Sequence, residues 1–263
     1  MQDASASTGD SSERDSLSGD VPFFAKDHSH HSFSQQWPLR MLSILQAIWQ
    51  ADGAFPSGSF AFSYGIEGVV ALRPDLDQAG LAELTATIIR QRWQTSDRIA
   101  LVKAFRAAGD LDAVADIDRN VEASTFGSTM RDGSRRNGGS FLASHARLGD
   151  AMALRLRGAV RSGICLGHIA VMQGAVWQAM GLGEMLAQLA SAYGVASGVT
   201  AAAVRLGAIG ALDGQKILRG CLPLIEALVA QPVAEDADLS SFIPFLEIAA
   251  ARHARADLRL FAN

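Results

Sequence analysis

Three histidines near the N-terminus, His28, His30 and His31, have a spacing that could chelate a divalent cation. Histidines hold an ion firmly only where the backbone fixes several donors together. The residues around them, Met1 to about Gln36, are rich in Ser, Asp and Gly and poor in aliphatic side chains. Such a stretch buries too little apolar area to offset ordering entropy, so 1–36 is expected to be a disordered tail with solvated histidines. His168 lies on an apolar stretch and reads as a hydrogen-bonded core histidine rather than a ligand. Glu247 and His253, six residues apart, point to different sides of a helix, so the Glu-x-x-His pairs of a di-iron bundle are missing. Cys165 and Cys221 are too far apart in sequence for a zinc or redox pair and are expected to be reduced, buried thiols.

The stretch Gln50 to Gly68, QADGAFPSGSFAFSYGIEG, concentrates turn residues, aromatics and one carboxylate. Gly53 and Gly58 have the glycine spacing of a phosphate-binding loop, but no lysine lies between Gly58 and Ser59, and a helix rather than a strand precedes them. Ser57, Ser59 and Ser63 are candidate nucleophiles, yet none sits in a Gly-x-Ser-x-Gly elbow. Pro56 and the glycines predict a defined turn, followed by a helix that Ser59 caps and on which Phe60, Tyr64 and Val69 share a face. Glu67 then falls on a turn of small residues, presented to solvent or to a partner. No catalytic constellation emerges, and a non-enzymatic role is expected.

Positioning these residues is the work of helices. Apolar spacing and caps predict helices over about Leu39–Gln50, Ser63–Leu72, Asp77–Gln94, Asp97–Ala108, Asp110–Ala123 and Phe141–Leu156, the last with a break near Gly149. Others follow over about Ile164–Met180, Gly183–Ala196, Gly198–Ile209, Asp213–Val229 and Ser241–Phe261. Asp77, Asp97, Asp110 and Asp213 are the expected N-caps. The segment Met130–His145, with three arginines and three glycines, reads as a flexible docking surface or a solvated connection. An all-α, single-domain bundle over 37–263 is expected.

Of the 263 residues, 49% are hydrophobic and only 19% charged, which leaves few solvated faces and points to a surface covered by a partner. A net charge of -4 offers no basic field for nucleic acid. The N-terminus lacks a basic and an apolar region, so no secretory signal is expected and the cytoplasm is the expected location. Ser162 to Gly183 is uncharged and long enough to span a membrane, but His168, Gln173 and Gln178 at mid-span favour a core helix. Arg252, Arg255 and Arg259 recur at helical spacing near the C-terminus, beside Leu258 and Phe261. They form a stripe suited to docking, or simply complement a helix C-terminus.

Taken together, four ordered segments resemble the urease accessory protein UreF family: PSGSFAFSYGIEG from Pro56, LGHIAVMQG around His168, TAAAVRLGAIGALDGQ, and the ending PFLEIAAARHARADLRLF. The resemblance implies an all-α homodimer without catalysis or a cofactor of its own. It would join the accessory protein UreD, also called UreH, and recruit the GTPase UreG to apo-urease, the assembled complex delivering nickel. It assigns Glu67 and Arg205 to GTPase recruitment, and Arg252, His253, Arg255, Arg259 and Phe261 to UreD contact. Ser63, Tyr64 and Gln215 complete the partner-binding set. Ala61, Ala211 and Ala254 depart from the family pattern. Outside the resemblance, a membrane-associated helical protein or another helical interaction scaffold remains the alternative.

Overall fold

The computed structural model describes residues 37–58, 62–254 and 260–261. The chain divides after Pro38, and the unit from Leu39 holds the core described below. The tail histidines, Ser59, Phe60, Arg255 and Arg259 lie outside the described residues.

The described residues are all-helical, without a strand. The order is α1 (Trp37–Ala51), α2 (Ile66–Leu72), α3 (Gln78–Ile88), a π-helical segment (Ile89–Asp97), α4 (Arg98–Arg106), α5 (Leu111–Ser124) and α6 (Ser128–Arg147). Then come α7 (Ala151–Arg161), α8 (Ile169–Ala179), α9 (Glu184–Arg205), α10 (Ala211–Val229) and α11 (Pro244–His253). Side-chain caps set several starts: Asp77 accepts from Gly80 N–H, Asp110 from Asp112 and Ala113, and Asp150 from Ala153. Pro244 begins α11, where its missing N–H costs nothing. The break expected near Gly149 falls there, with Gly149 at a φ of 89°.

Among the described residues, two large apolar clusters make most of the core. In one, Leu101, Phe141, Met172 and Trp177 from α4, α6 and α8 are fully buried. In the other, Ile66, Ile88, Trp93, Val199 and Leu246 join α2, α3, the π segment, α9 and α11. Trp93 Nε1–H donates to Ser191 Oγ at 3.1 Å, which satisfies the indole in the interior. Small residues set the closest approaches. A Cβ on Gly174 of α8 would lie 2.2 Å from the Leu101 carbonyl oxygen of α4, so only glycine fits that crossing.

Several expectations are corrected. Met130–His145 is not a loop but most of α6, and two of its three glycines face neighbours: a Cβ at Gly133 would be 3.3 Å from the Phe62 ring, and one at Gly138 would be 2.0 Å from Gly167 O. The break between α3 and α4 is absent; Asp97 has helical angles and caps nothing. Gly210, not Asp213, caps α10, and Asp213 instead pairs with Lys216 at 2.8 Å within its first turns. Gly198 does not start a new helix; it lies within α9, where the Tyr64 ring packs against it. The helix expected from Ser63 begins three residues later, at Ile66, and the helix expected from Ile164 begins at Ile169. Among the described residues, no helix is long and apolar enough to cross a membrane.

Candidate functional site

Ser63, Tyr64 and Glu67 lie where the loop after Phe62 enters α2. Ser63 is fully buried, and its carbonyl accepts the Ile66 N–H at 2.9 Å, closing a tight turn. That turn places Tyr64 at a φ of 53°, a left-handed angle that a residue with a Cβ adopts at a cost. The ring is held in return, wedged against Gly198, where an added Cβ would come 2.5 Å from Tyr64 Cε2. Burial, then the Asp97 charge, pushes the Tyr64 hydroxyl up to about 12, so it stays a neutral phenol. Gly65 and Gly68 let α2 approach α11 closely; a Cβ on Gly68 would be 2.3 Å from Ala249 O.

This close packing turns Glu67 inward. Glu67 is only 6% exposed, which corrects the expectation of a carboxylate offered to solvent or a partner. Its Oε1 accepts the Leu260 N–H, and its Oε2 accepts the Phe261 N–H at 3.2 Å. His253 Nε2 lies 3.1 Å from the same Oε2. Phe261 is buried in the α9–α11 cluster, and the Arg205 guanidinium carbon sits 4.2 Å from its ring centroid. Four of the residues singled out from sequence, Glu67, Arg205, His253 and Phe261, thus belong to one intramolecular junction that fastens residues 260–261. Gln215 on α10 and Arg252 on α11 are exposed.

A second polar network escaped the sequence reading. Asp118 is fully buried and accepts three consecutive backbone N–H groups, those of Leu166, Gly167 and His168. It fixes the turn that presents His168, whose Nε2 meets Glu122 Oε2 at 2.9 Å and whose Nδ1 meets Ser134 Oγ at 3.1 Å. Burial holds the His168 pKa below its ordinary value, against the opposing pull of Asp118 and Glu122. His168 is therefore the hydrogen-bonded core histidine its sequence suggested. Arg131 and Arg135 of α6 both reach Glu122, at 3.2 and 3.3 Å, and so brace this network. The available signal was the four-residue spacing of Asp118 and Glu122, which puts both carboxylates on one face of α5. Among the described residues, no group of three His, Cys, Asp or Glu side chains is placed to hold a metal. Cys165 and Cys221 are buried free thiols.

The UreF family model matches residues 76–222, more than half of the chain. The chain belongs to the UreF family. Relatives named urease accessory protein UreF include one from Trichodesmium erythraeum, 32% identical over 235 residues, which cover 88% of this chain and 97% of that protein. A Brucella melitensis relative named urease accessory protein UreF 1 is 31% identical over 225 residues, 84% of this chain and 92% of its own. One from a Bacillus species is 28% identical over 230 residues, 85% of this chain and 99% of its own. The UreF family match spans the Asp118 network and runs from α3 into α10; of the Glu67 junction it includes Arg205, while Glu67, His253 and Phe261 lie on either side of it.

Proposed function

We propose that this chain is a non-catalytic helical adaptor in the cytoplasm, one domain over 37–263. It pairs with a second copy, joins UreD and recruits UreG to apo-urease for nickel insertion. Family membership supports the reading. The structural observation that carries it is the reversed polarity of α1. Its Ser43 and Gln46 side chains donate to the Gly181 and Met180 carbonyls at 3.3 and 3.1 Å, and Ala47 and Ala51 pack on the core. Its large apolar residues Leu42, Leu45 and Ile48 point outward, 54%, 56% and 63% exposed. A helix with small and polar residues inside and large apolar ones outside is shaped to be covered by another protein. Phe242, Phe245 and Ile248 offer a second exposed apolar group around α11, next to Arg252.

Within this reading, Arg252, Arg255, Arg259 and the apolar residues around α11 contact UreD, and Gln215 meets a partner from α10. Ser63, Tyr64, Glu67, Arg205, His253 and Phe261 act by holding the C-terminal segment in place. The chain needs no cofactor of its own, and nickel is the cargo of the assembled complex. Co-expression with UreD and UreG, affinity capture and light scattering test it. A complex holding two copies of this chain is expected; a lone monomer in the presence of both partners would defeat the proposal.

A further inference from the structure

Four arginines on and beside α7 have nothing within the molecule to hold them. From Ala151 to His168 the chain carries Arg155, Arg157 and Arg161 and no acid, and Arg147 precedes them at the end of α6. Arg147, Arg155 and Arg161 are exposed, and Arg157 is half-buried. Among the described residues, none of the four makes a hydrogen bond, an ion pair or a ring contact, whereas Arg106, Arg119, Arg131 and Arg135 all pair with carboxylates. The acids nearby are engaged elsewhere. Asp150 caps α7 and stands 3.7 Å from His145 Nδ1, Asp116 of α5 pairs with Arg119, and Asp112 forms no ion pair with the four.

The helix also has a shaped outer side. α7 buries Ala153, Leu156 and Ala159 against the core, and at helical spacing Ala151, Leu154 and Gly158 run along the outside, continued by Ser162. Arg155 lies along one edge of this line, with Arg157 and Arg161 along the other. A Cβ added at Gly158 meets nothing within 4 Å, so no contact inside the molecule calls for glycine there, although glycine weakens a helix interior relative to alanine. Leu154 and Leu148, 54% and 62% exposed, supply apolar area beside it. A partner helix crossing at Gly158 accounts for both features: it comes close along the low centre and meets charge at both edges. Paired helices combine an apolar seam with flanking charges in this way.

We propose that the outer face of α7 docks an acidic helix of a partner protein, its backbone crossing over Gly158 and its carboxylates meeting Arg155 on one edge and Arg157 and Arg161 on the other. The cations are all arginine, whose planar fork pairs with carboxylates through two hydrogen bonds. The face offers no aromatic side chain on which a nucleic-acid base could stack. The main apolar side of α7 is spent on the core, so it is not left to enter a lipid surface. None of the α1 or α11 residues assigned above takes part. The choice of partner proteins for the test rests on the adaptor reading; the charge chemistry of the face does not.

The test has two arms on the full chain. In the first, co-expressed UreD, UreG and apo-urease are captured at about 0.1 and 1 M NaCl, between which the Debye length falls from about 10 to 3 Å. Arg155→Glu with Arg161→Glu should deplete at least one of the three more than tenfold at the lower salt, and high salt should deplete the same component from wild type. Gly158→Leu should deplete it several-fold, with Tm unchanged or higher because leucine favours helix over glycine. In the second arm, fluorescence anisotropy compares two designed helical peptides with an alanine seam, one edged by glutamates and its twin by lysines. The glutamate peptide should bind wild type at least tenfold more tightly than its twin, and the charge-reversed protein should lose that preference. The proposal is overturned if the two peptides bind alike, if the folded charge-reversed and Gly158→Leu proteins capture all three components like wild type, or if phosphatidylserine vesicles or duplex DNA bind more tightly than the glutamate peptide. Selective binding of the glutamate peptide without any capture by wild type would remove the adaptor reading and leave the docking face standing.

Discussion

Glu67→Ala leaves the buried Phe261 N–H without its carboxylate acceptor and takes away the group that His253 faces. Losing a hydrogen bond to a charged, buried acceptor costs about 1–3 kcal/mol, so thermal unfolding of Glu67→Ala should shift down accordingly. Limited proteolysis read by mass spectrometry should then cut near the C-terminus faster. Glu67→Gln, which keeps one acceptor oxygen, should fall between; an unchanged cleavage pattern in both variants would mean that the carboxylate does not fasten the segment. Any loss of GTPase recruitment in these variants is expected to follow the release of that segment rather than a missing direct contact. The buried histidines give a pH dependence of known sign. Desolvation lowers the pKa of His145 and His168, although Asp150, 3.7 Å from His145 Nδ1, pulls the other way. A histidine depressed in the folded state takes up its proton in the unfolded chain first, so its contribution is complete above the ordinary value near 6.5 and declines as pH falls toward the folded value. Tm should drop from pH 7 to pH 5, and His145→Gln, which preserves a polar partner for Gln50, should flatten that slope; an identical slope would exclude His145 as its source.

Adjacent glycines on α6 separate packing from propensity. A Cβ at Gly138 meets Gly167 O at 2.0 Å, whereas one at Gly139 meets nothing within 4 Å. Replacing glycine by alanine gains up to about 1 kcal/mol of helix propensity, but overpacking a tight contact costs typically 1–3 kcal/mol. Gly139→Ala is therefore expected to raise the denaturant midpoint and Gly138→Ala to lower it, measured by circular dichroism in urea. Equal shifts would show that α6 and the 165–168 turn are not in close contact. The same glycines explain what was legible in the sequence. Most helices were readable because their apolar spacing and their Asp77 and Asp110 caps are local signals. α6 was not, because its glycines look like loop residues until the neighbour that needs them is known. Tyr64 packing on Gly198 hid the continuity of α9 in the same way. At the site, residue identities were readable but their direction was not. Nothing local tells that Glu67 faces residues 260–261, about two hundred positions away, or that Asp118 collects the N–H groups before α8.

For the molecule as a whole, the balance of surfaces matters more than any one residue. Two tightly packed apolar clusters sit beneath exposed groups, Leu42, Leu45 and Ile48 on α1 and Phe242, Phe245 and Ile248 around α11. Single exposed hydrophobics are ordinary, but contiguous groups of this kind mark surfaces that another protein covers. Because these side chains touch little of the core, changing them should leave stability within about 0.5 kcal/mol, the usual range for surface substitutions. Binding should respond far more, since apolar anchors at the centre of an interface commonly contribute above about 2 kcal/mol each when truncated. The double variants Leu45→Lys with Ile48→Lys, and Phe245→Ser with Ile248→Ser, are thus expected to keep wild-type Tm. The α11 pair should lose UreD in affinity capture by more than tenfold. The α1 pair should reduce the mass of the recovered assembly in light scattering. If both proteins stay folded and both assemble like wild type, neither apolar surface is the docking face, and the contact must be sought around Arg205 and Gln215 instead.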